Sequence, residues 1–274
     1  MTTDAPTTCY RHPDRETGRR CTRCGRPACP DCLQEASVGS HCVDCVKDGR
    51  TPATERLQRQ LRGQNVLATK IIIAINVIAF VLIAIRDHRA DGLGRTSADL
   101  ALFGPSVHAG EWWRLGTTSV VHYGFFHLLF NMLLLWVIGQ MLEPGAGPLR
   151  FTMIYVVSVL AGSAGALIAT PHVYSGGASG GVMGLAGAAY LVLRRQGVSF
   201  WNTGFGPLIV IVLIQPLFIS NISSGAHIGG LIGGALATES MIEARKAGHP
   251  ALGLFGAAFV GVAAVLLSFA VAGN

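Results

Sequence analysis

The chain has 274 residues, of which 50% are hydrophobic and only 13% are charged, and its mean hydropathy is +0.47. This composition is too apolar for an ordinary soluble domain. The net charge of +6 does not indicate a nucleic-acid partner, because basic residues beside apolar segments set membrane topology. Residues 1–70 carry 12 of the 21 Lys and Arg residues, which divides the chain into a polar head and a membrane body.

The polar head contains all seven cysteines, between Cys9 and Cys45. With one histidine they form four pairs, each with a two-residue gap: Cys9 and His12, Cys21 and Cys24, Cys29 and Cys32, Cys42 and Cys45. An odd number of cysteines in such pairs favours metal ligands in a reducing compartment over a disulfide framework. Eight ligands suffice for about two tetrahedral Zn²⁺ ions with no open position for water. We therefore expect structural zinc and no cofactor for catalysis.

The spacing of these pairs resembles cross-braced zinc modules of the B-box type. In that arrangement the first and third pairs hold one ion, and the second and fourth pairs hold the other. The sequence leaves two alternatives open: the sites could be sequential, and His41 could replace Cys42. We predict a cytoplasmic zinc-binding domain over residues 1–48, folded in part by its metal, which recruits a cytoplasmic protein partner. A polar linker follows over residues 49–70.

The membrane body contains seven apolar segments, at residues 71–85, 125–142, 151–170, 179–193, 207–221, 225–238 and 251–272. Several are shorter than the roughly 20 residues of a free-standing span, which is tolerated where other helices surround them. Glycines recur at every fourth position on two segments. Gly180 and Gly184 share a face of the fourth segment, and Gly225, Gly229 and Gly233 share a face of the sixth. Such faces predict close packing of the fourth segment against the sixth.

The basic residues predict the orientation of these spans. A cytoplasmic N-terminus places Arg150, Arg194, Arg195, Arg245 and Lys246 on the cytoplasmic side, as positive residues prefer. The basic residues of the opposite side fall in one long loop, which carries less weight in this rule. The first 65 residues contain no apolar core of a cleavable signal peptide. We expect a multi-pass protein of the cell membrane with its N-terminus in the cytoplasm.

Four reactive polar residues lie within these apolar segments, namely His127, Asn131, Ser179 and His227. Polar groups at membrane depth are unfavourable and generally functional. In the predicted orientation Ser179 and His227 share a depth near the outer surface, where the imidazole can deprotonate the hydroxyl. His127 and Asn131 are four residues apart on one helical face. Their side chains would donate hydrogen bonds to the oxyanion of a tetrahedral intermediate.

Three motifs carry a resemblance: His127-x-x-x-Asn131, Gly177-Ala178-Ser179-Gly180, and Ala226-His227 followed by glycines. Together they resemble the signature of rhomboid intramembrane serine proteases, and Glu111-Trp112-Trp113-Arg114 resembles the Trp-Arg element of that family. The likeness covers about residues 70 to 240. It implies a six-helix core, a Ser–His dyad without a third acid, and cleavage of transmembrane substrates. Met183 stands where family members often carry an aromatic residue against the catalytic histidine.

The expected fold is therefore an all-α polytopic membrane protein, with a rhomboid-like six-helix bundle over residues 71–240. An additional C-terminal transmembrane helix occupies residues 241–274, and the small zinc-bound module precedes the bundle. The expected function is that of a serine endopeptidase in the lipid bilayer, cleaving transmembrane or juxtamembrane segments of membrane proteins. Its active site would open to the extracellular side. The alternative is a non-catalytic membrane receptor or scaffold that recruits a cytoplasmic partner through the zinc domain.

Overall fold

The computed structural model describes residues 7–36, 39–48, 66–199, 201, 205–214 and 223–273. The chain divides into two compact units, Met1–Gly63 and Gln64–Asn274. Most of the predicted linker, residues 49–65, lies outside the described residues, as do residues 215–221 of the fifth predicted span.

The first unit is built from short strands and one short helix around its cysteines. Its elements are β1 (Thr7–Thr8), β2 (Glu16–Thr17), a 3₁₀ turn (Pro30–Cys32), β3 (Leu33–Glu35), β4 (Ser40–Cys42) and α1 (Val43–Asp48). Strand β1 pairs antiparallel with β2, and β3 pairs antiparallel with β4. Six cysteines and Ala28 form the buried core. A core of this size and composition buries too little apolar surface to fold a unit on its own.

The second unit, in its described residues, consists of helices joined by turns and loops. Its helices are α2 (Leu67–Asp87), α3 (Arg95–Leu100), α4 (Gly104–His108), α5 (Arg114–Thr117), α6 (Phe125–Ala146), α7 (Pro148–Ala169), α8 (Ser179–Arg195), α9 (Phe205–Ile214), α10 (Ser224–Lys246) and α11 (Pro250–Val271). Each of the seven predicted spans overlaps one of these helices. For the fifth span the overlap covers residues 207–214, because residues 215–221 are not described. The predicted all-α multi-pass fold is therefore confirmed.

Four helices, α2, α6, α7 and α11, are long and apolar enough to cross a membrane by length and composition. Their burial differs: 61% of the apolar window is buried in α7, but only 28% in α2 and 22% in α11. Helix α7 therefore lies inside the bundle, whereas α2 and α11 present most of their apolar surface to the lipid. Helix α8 has only 17 residues, which the surrounding helices make tolerable.

The long segment between α2 and α6 is organised by the buried side chain of Arg114, which is only 5% exposed. Its guanidinium donates hydrogen bonds to the carbonyls of Ala98 and Ala101 and pairs with Glu111. Further along, Leu102 and Ser175 exchange two backbone hydrogen bonds of 2.9 Å each. The Trp-Arg element thus holds together a segment that is tied to the turn before α8.

A buried carboxylate joins α6 to the start of α2. Glu143 is 1% exposed and accepts hydrogen bonds from the backbone N–H groups of Ala68 and Thr69, each at 2.8 Å. It also accepts one from the Thr69 hydroxyl at 2.7 Å. The first N–H groups of a helix have no partner within the helix, and an anion there is favoured by the helix dipole. Glu143 therefore acts as an N-terminal cap supplied by a neighbouring helix.

Removal of this cap should destabilise the bundle. We expect Glu143→Ala to lower the free energy of unfolding by about 3 kcal/mol, since two buried N–H groups lose a charged acceptor. Thr69→Val removes only the hydroxyl bond and should lower it by about 1 kcal/mol. The measurement is unfolding of the purified protein in detergent. As a control, Asp91→Asn breaks the exposed pair with Arg89 and should change stability by less than about 1 kcal/mol. Equal effects of Glu143→Ala and Asp91→Asn would contradict the capping role.

Candidate functional site

Helices α8 and α10 touch backbone to backbone through their glycines. A Cβ atom built on Gly230 would lie 3.0 Å from Cα of Gly180, and one built on Gly184 would lie 2.7 Å from the Gly230 carbonyl oxygen. These separations leave no room for side chains. The contacts advance in the same direction along both chains, from Gly180 beside Ala226 to Gly184 beside Gly234. The two helices therefore run parallel, with their N-terminal ends at the same level.

The predicted approach of these helices is right, but the predicted face of α10 is wrong. Gly225 and Gly229 do not meet α8; they pack against Gly165 of α7, where a Cβ on Gly229 would lie 3.1 Å from Cα of Gly165. The α8 contact uses the adjacent face, which carries Ala226 and Gly230. Helix α10 lies between α7 and α8 and needs small residues on both sides. The spacing alone could not say which glycine face meets which neighbour.

This packing determines where Ser179 and His227 lie. Ser179 is the first residue of α8, and its neighbour Gly180 lies against the carbonyl of Ala226, which precedes His227. Ser179 is half-buried and His227 is 1% exposed. Neither ring nitrogen of His227 has a hydrogen-bond partner in the described part of the chain. A buried imidazole without a partner is unfavourable, so its position beside the start of α8 calls for a functional explanation.

The turn before α8 brings His127 to the same place. Gly177 has φ +135°, in the region that only glycine adopts readily, and its N–H donates to the carbonyl of Thr118 at 2.9 Å. A Cβ on Gly177 would lie 3.0 Å from Nε2 of His127 and 3.6 Å from Oγ of Ser179. Glycine thus keeps open the space that the imidazole and the hydroxyl share.

A small polar cavity occupies this space, with a volume of about 20 Å³. Hydroxyl and imidazole groups contribute to its wall, from Thr118, His127, Ser163, Ser179 and Ser223. A cavity of this size and polarity suits about one water molecule. The arrangement therefore combines a serine hydroxyl at a helix N-terminus, an imidazole donor and room for water.

Asn131 lies one turn after His127 on α6 and is 5% exposed. Its side-chain amide donates a hydrogen bond to the carbonyl of His127 at 2.8 Å, within its own helix. Neither Asn131 nor His227 is among the residues that line the cavity. Of the predicted pair, the structure therefore brings His127 directly to the cavity and leaves Asn131 behind it.

His122 is a residue of this region that the sequence did not single out. It is 2% exposed, and its Nε2 atom lies 3.5 Å from the N–H of Ala178, the residue before Ser179. Its Nδ1 atom lies 3.4 Å from the carbonyl of Val120. The tautomer with hydrogen on Nδ1 satisfies both contacts. His122 thus positions the turn that leads to Ser179, a role that no spacing in the sequence indicates.

The first unit brings the predicted metal ligands into two clusters. One contains Cys9, His12, Cys29 and Cys32, and the other contains Cys21, Cys24, Cys42 and Cys45. In each cluster the four ligand atoms lie within 4.8 Å of one another. The first pair thus meets the third and the second meets the fourth, in the cross-braced order. His41 lies on β4 opposite Gln34, outside both clusters.

The chemistry of these clusters fits a soft divalent metal. Thiolate is the form that binds metal, and the Arg26 side chain, which donates a hydrogen bond to Cys24 Sγ at 3.4 Å, lowers the pKa of the Cys24 thiol. Arg26 also lies 4.6 Å above the Tyr10 ring and pairs with Asp44 at 3.2 Å. Four sulfur ligands, or three with one imidazole, are the donor sets of structural zinc.

The Rhomboid domain family model matches residues 109–244, a range that includes Ser179, His227, His127 and Asn131. Rhomboid protease GluP of Bacillus subtilis (strain 168) is 36% identical over 195 residues, or 69% of this chain and 36% of GluP. The putative rhomboid protease YdcA of the same organism is 34% identical over 149 residues, 51% of this chain and 72% of YdcA. Rhomboid protease AarA of Providencia stuartii is 30% identical over 190 residues, 56% of this chain and 66% of AarA. The chain thus spans about a third of the length of GluP.

A side chain on the shared glycine face should separate α8 from α10. We expect Gly230→Ala to lower the free energy of unfolding by about 1–3 kcal/mol, because the methyl group meets the backbone of Gly180. Gly145→Ala is the matched control: it is a helical glycine with open space around its Cβ position. It should raise stability by about 0.5–1 kcal/mol, the ordinary gain of alanine in a helix. Thermal unfolding in detergent measures both, and a destabilised Gly145→Ala with an unaffected Gly230→Ala would contradict the packing.

Proposed function

Because the chain belongs to the rhomboid family, we propose that it is an intramembrane serine endopeptidase that acts through a dyad of Ser179 and His227. The observation that carries this proposal is the backbone contact of α8 with α10 at Gly180 and Ala226. It supports a dyad because these two residues are the direct neighbours of the serine and the histidine.

The first step is attack on the scissile carbonyl. His227 accepts the proton of the Ser179 hydroxyl as Oγ forms a bond to the carbonyl carbon. Neither ring nitrogen of His227 has a hydrogen-bond partner among the described residues, which leaves the ring free to take this role. The carbonyl oxygen becomes an oxyanion, and His127 and the Ser179 backbone N–H stabilise it by hydrogen bonds. Asn131 supports this group from the next turn of α6.

The second step releases the products. The C–N bond breaks as His227 gives its proton to the leaving amine, and an acyl ester on Ser179 remains. A water molecule in the polar cavity then transfers a proton to His227 and attacks the ester carbonyl. The ester bond breaks, Ser179 recovers its proton from His227, and the new carboxyl end departs.

The substrate is a transmembrane or juxtamembrane segment of a membrane protein. The site lies at the N-terminal ends of α8 and α10, whereas Arg194, Arg195, Arg245 and Lys246 lie at the opposite ends of these helices. The preference of positive residues for the cytoplasm supports a cytoplasmic N-terminus, in a protein of the cell membrane whose active site opens to the extracellular side. The substrate would enter from the lipid at that level.

The first unit binds two Zn²⁺ ions, one in each cluster. It recruits a cytoplasmic partner or regulates the membrane unit through that partner. Zinc supplies folding free energy to a unit whose buried core consists mostly of cysteine sulfur. All four ligand positions of each ion are filled by protein, so these ions take no part in proteolysis.

Substitution of the dyad should abolish proteolysis without unfolding the protein. Ser179→Ala and His227→Ala should each lower the cleavage rate by about 10⁴-fold or more, and His127→Ala by about 10²–10³-fold. The measurement is cleavage of a single-span reporter in liposomes, together with covalent labelling by a serine-reactive fluorophosphonate. Ser119→Ala and His172→Ala, outside the cavity, are the matched controls and should cleave at the normal rate.

Labelling separates the protease from the alternative of a non-catalytic receptor. A protease is labelled in a manner that depends on both Ser179 and His227. Labelling that persists in Ser179→Ala, or reporter cleavage that persists there, would contradict the dyad. A receptor would show neither labelling nor cleavage in the parent protein.

The metal content tests the first unit separately. We expect about two zinc ions per chain in the purified full-length protein. Cys42→Ser should reduce this to about one, whereas the matched change His41→Ala should leave the content unchanged. Acidification should release the metal, because protons compete for the thiolates. Elemental analysis measures all three, and loss of zinc in His41→Ala but not in Cys42→Ser would contradict the cluster.

A further inference from the structure

A second, larger cavity opens at the end of the helix bundle opposite Ser179. It lies between the ends of α6, α7, α8 and α10 and has a volume of about 650 Å³. This falls in the range of about 300–1,000 Å³ that is typical of ligand sites. Most of its wall is apolar and is formed by Met141, Phe151, Ile154, Val192, Met241 and Ile242. None of the residues proposed for catalysis lines this cavity.

The mouth of this cavity is basic. Four cations line it, from three different helices: Arg150, Arg195, Arg245 and Lys246. Arg195, Arg245 and Lys246 lie in the last turns of α8 and α10, where the helix dipole favours positive side chains. The ends of the membrane helices are also the level at which lipid phosphates lie.

Two of these cations are compensated and two are not. Arg195 and Lys246 share the carboxylate of Glu243, at 2.7 Å and 3.0 Å. Arg150 and Arg245 have no carboxylate partner among the residues that the structure describes. The cavity therefore combines an apolar interior with two uncompensated positive charges at its mouth.

The occupant that matches this combination carries a negative head and a long apolar tail. A soluble phosphate would leave the apolar wall unused, and a zwitterionic lipid would bring no net negative charge to the two cations. Basic pockets between membrane helices are a recognised means of holding anionic headgroups. We propose that this cavity binds an anionic phospholipid, with an acyl chain along Phe151 and Val192 and the phosphate between Arg150 and Arg245.

The full-length protein in a neutral detergent tests this proposal by native mass spectrometry. Phosphatidylglycerol and phosphatidylcholine are added separately at equal concentrations. At each concentration phosphatidylglycerol should occupy a larger fraction of the protein than phosphatidylcholine does. The double variant Arg150→Gln/Arg245→Gln should weaken its binding by about 25-fold, at about fivefold for each cation removed. Equal retention of the two lipids by the parent protein, or parental retention by the double variant, would overturn the proposal.

Arg194→Gln is the matched control for charge. Arg194 is exposed at the same helix end as Arg195 but does not line the cavity. Its removal should leave phosphatidylglycerol binding within about twofold of the parent, since the lost charge is remote from the phosphate. A loss as large as that of Arg245→Gln alone would show that general surface charge, and not the cavity, attracts the lipid.

Val192→Phe separates a lipid from a soluble anion. It fills part of the apolar wall and keeps every cation, so it should weaken phosphatidylglycerol binding severalfold. Inorganic phosphate, added as a competitor, should not displace the lipid from the parent protein. Full displacement by phosphate together with unchanged binding in Val192→Phe would assign the cavity to a soluble anion and overturn the lipid. Unfolding temperatures of all variants without lipid verify that each is folded.

Discussion

The close approach of α8 to α10 is the contact on which the rest of the membrane unit depends. Gly230 meets the backbone of Gly180 at a separation that no side chain would permit. The contact gains dispersion energy along two facing backbones, which in a bilayer replaces the missing hydrophobic driving force. Because the helices are parallel and in contact from their first turns, Ser179 and His227 lie on first turns that neighbour each other. The proposed dyad therefore rests on this glycine packing.

The same end of the bundle shows how polar groups are accommodated inside a membrane protein. Three histidines lie near Ser179, and each is held differently. His122 supports the turn before the serine, His127 stands across the space kept open by Gly177, and His227 lies buried without a polar partner. Burial of the His227 ring without a hydrogen-bond partner is energetically unfavourable. Unfavourable polar groups at membrane depth are generally functional. The polar cavity beside Ser179 has room for about one water molecule.

Elsewhere in the second unit, and in the first unit, the polar groups have a structural role. Glu143 caps α2 from a neighbouring helix, Arg114 binds carbonyls of the long segment between α2 and α6, and the cysteine clusters replace a hydrophobic core. In all three cases backbone or thiol groups that lack a partner receive one from a distant part of the chain. The basic cavity between α6, α7, α8 and α10 differs, because two of its cations lack a carboxylate partner among the described residues.

The amino-acid sequence alone established the helical membrane fold, because long apolar segments have no alternative conformation in a bilayer. It also identified the polar residues at membrane depth and the cysteine pairs, because residue type and local spacing carry those signals. Only the tertiary structure decided which face of α10 meets α8 and that Asn131 bonds within its own helix. It also decided that His122 supports the serine turn and that Glu143 caps α2. Each depends on how two distant segments rotate against each other. Glycines at four-residue spacing on both faces of α10 permit either rotation, so only the packed bundle selects one.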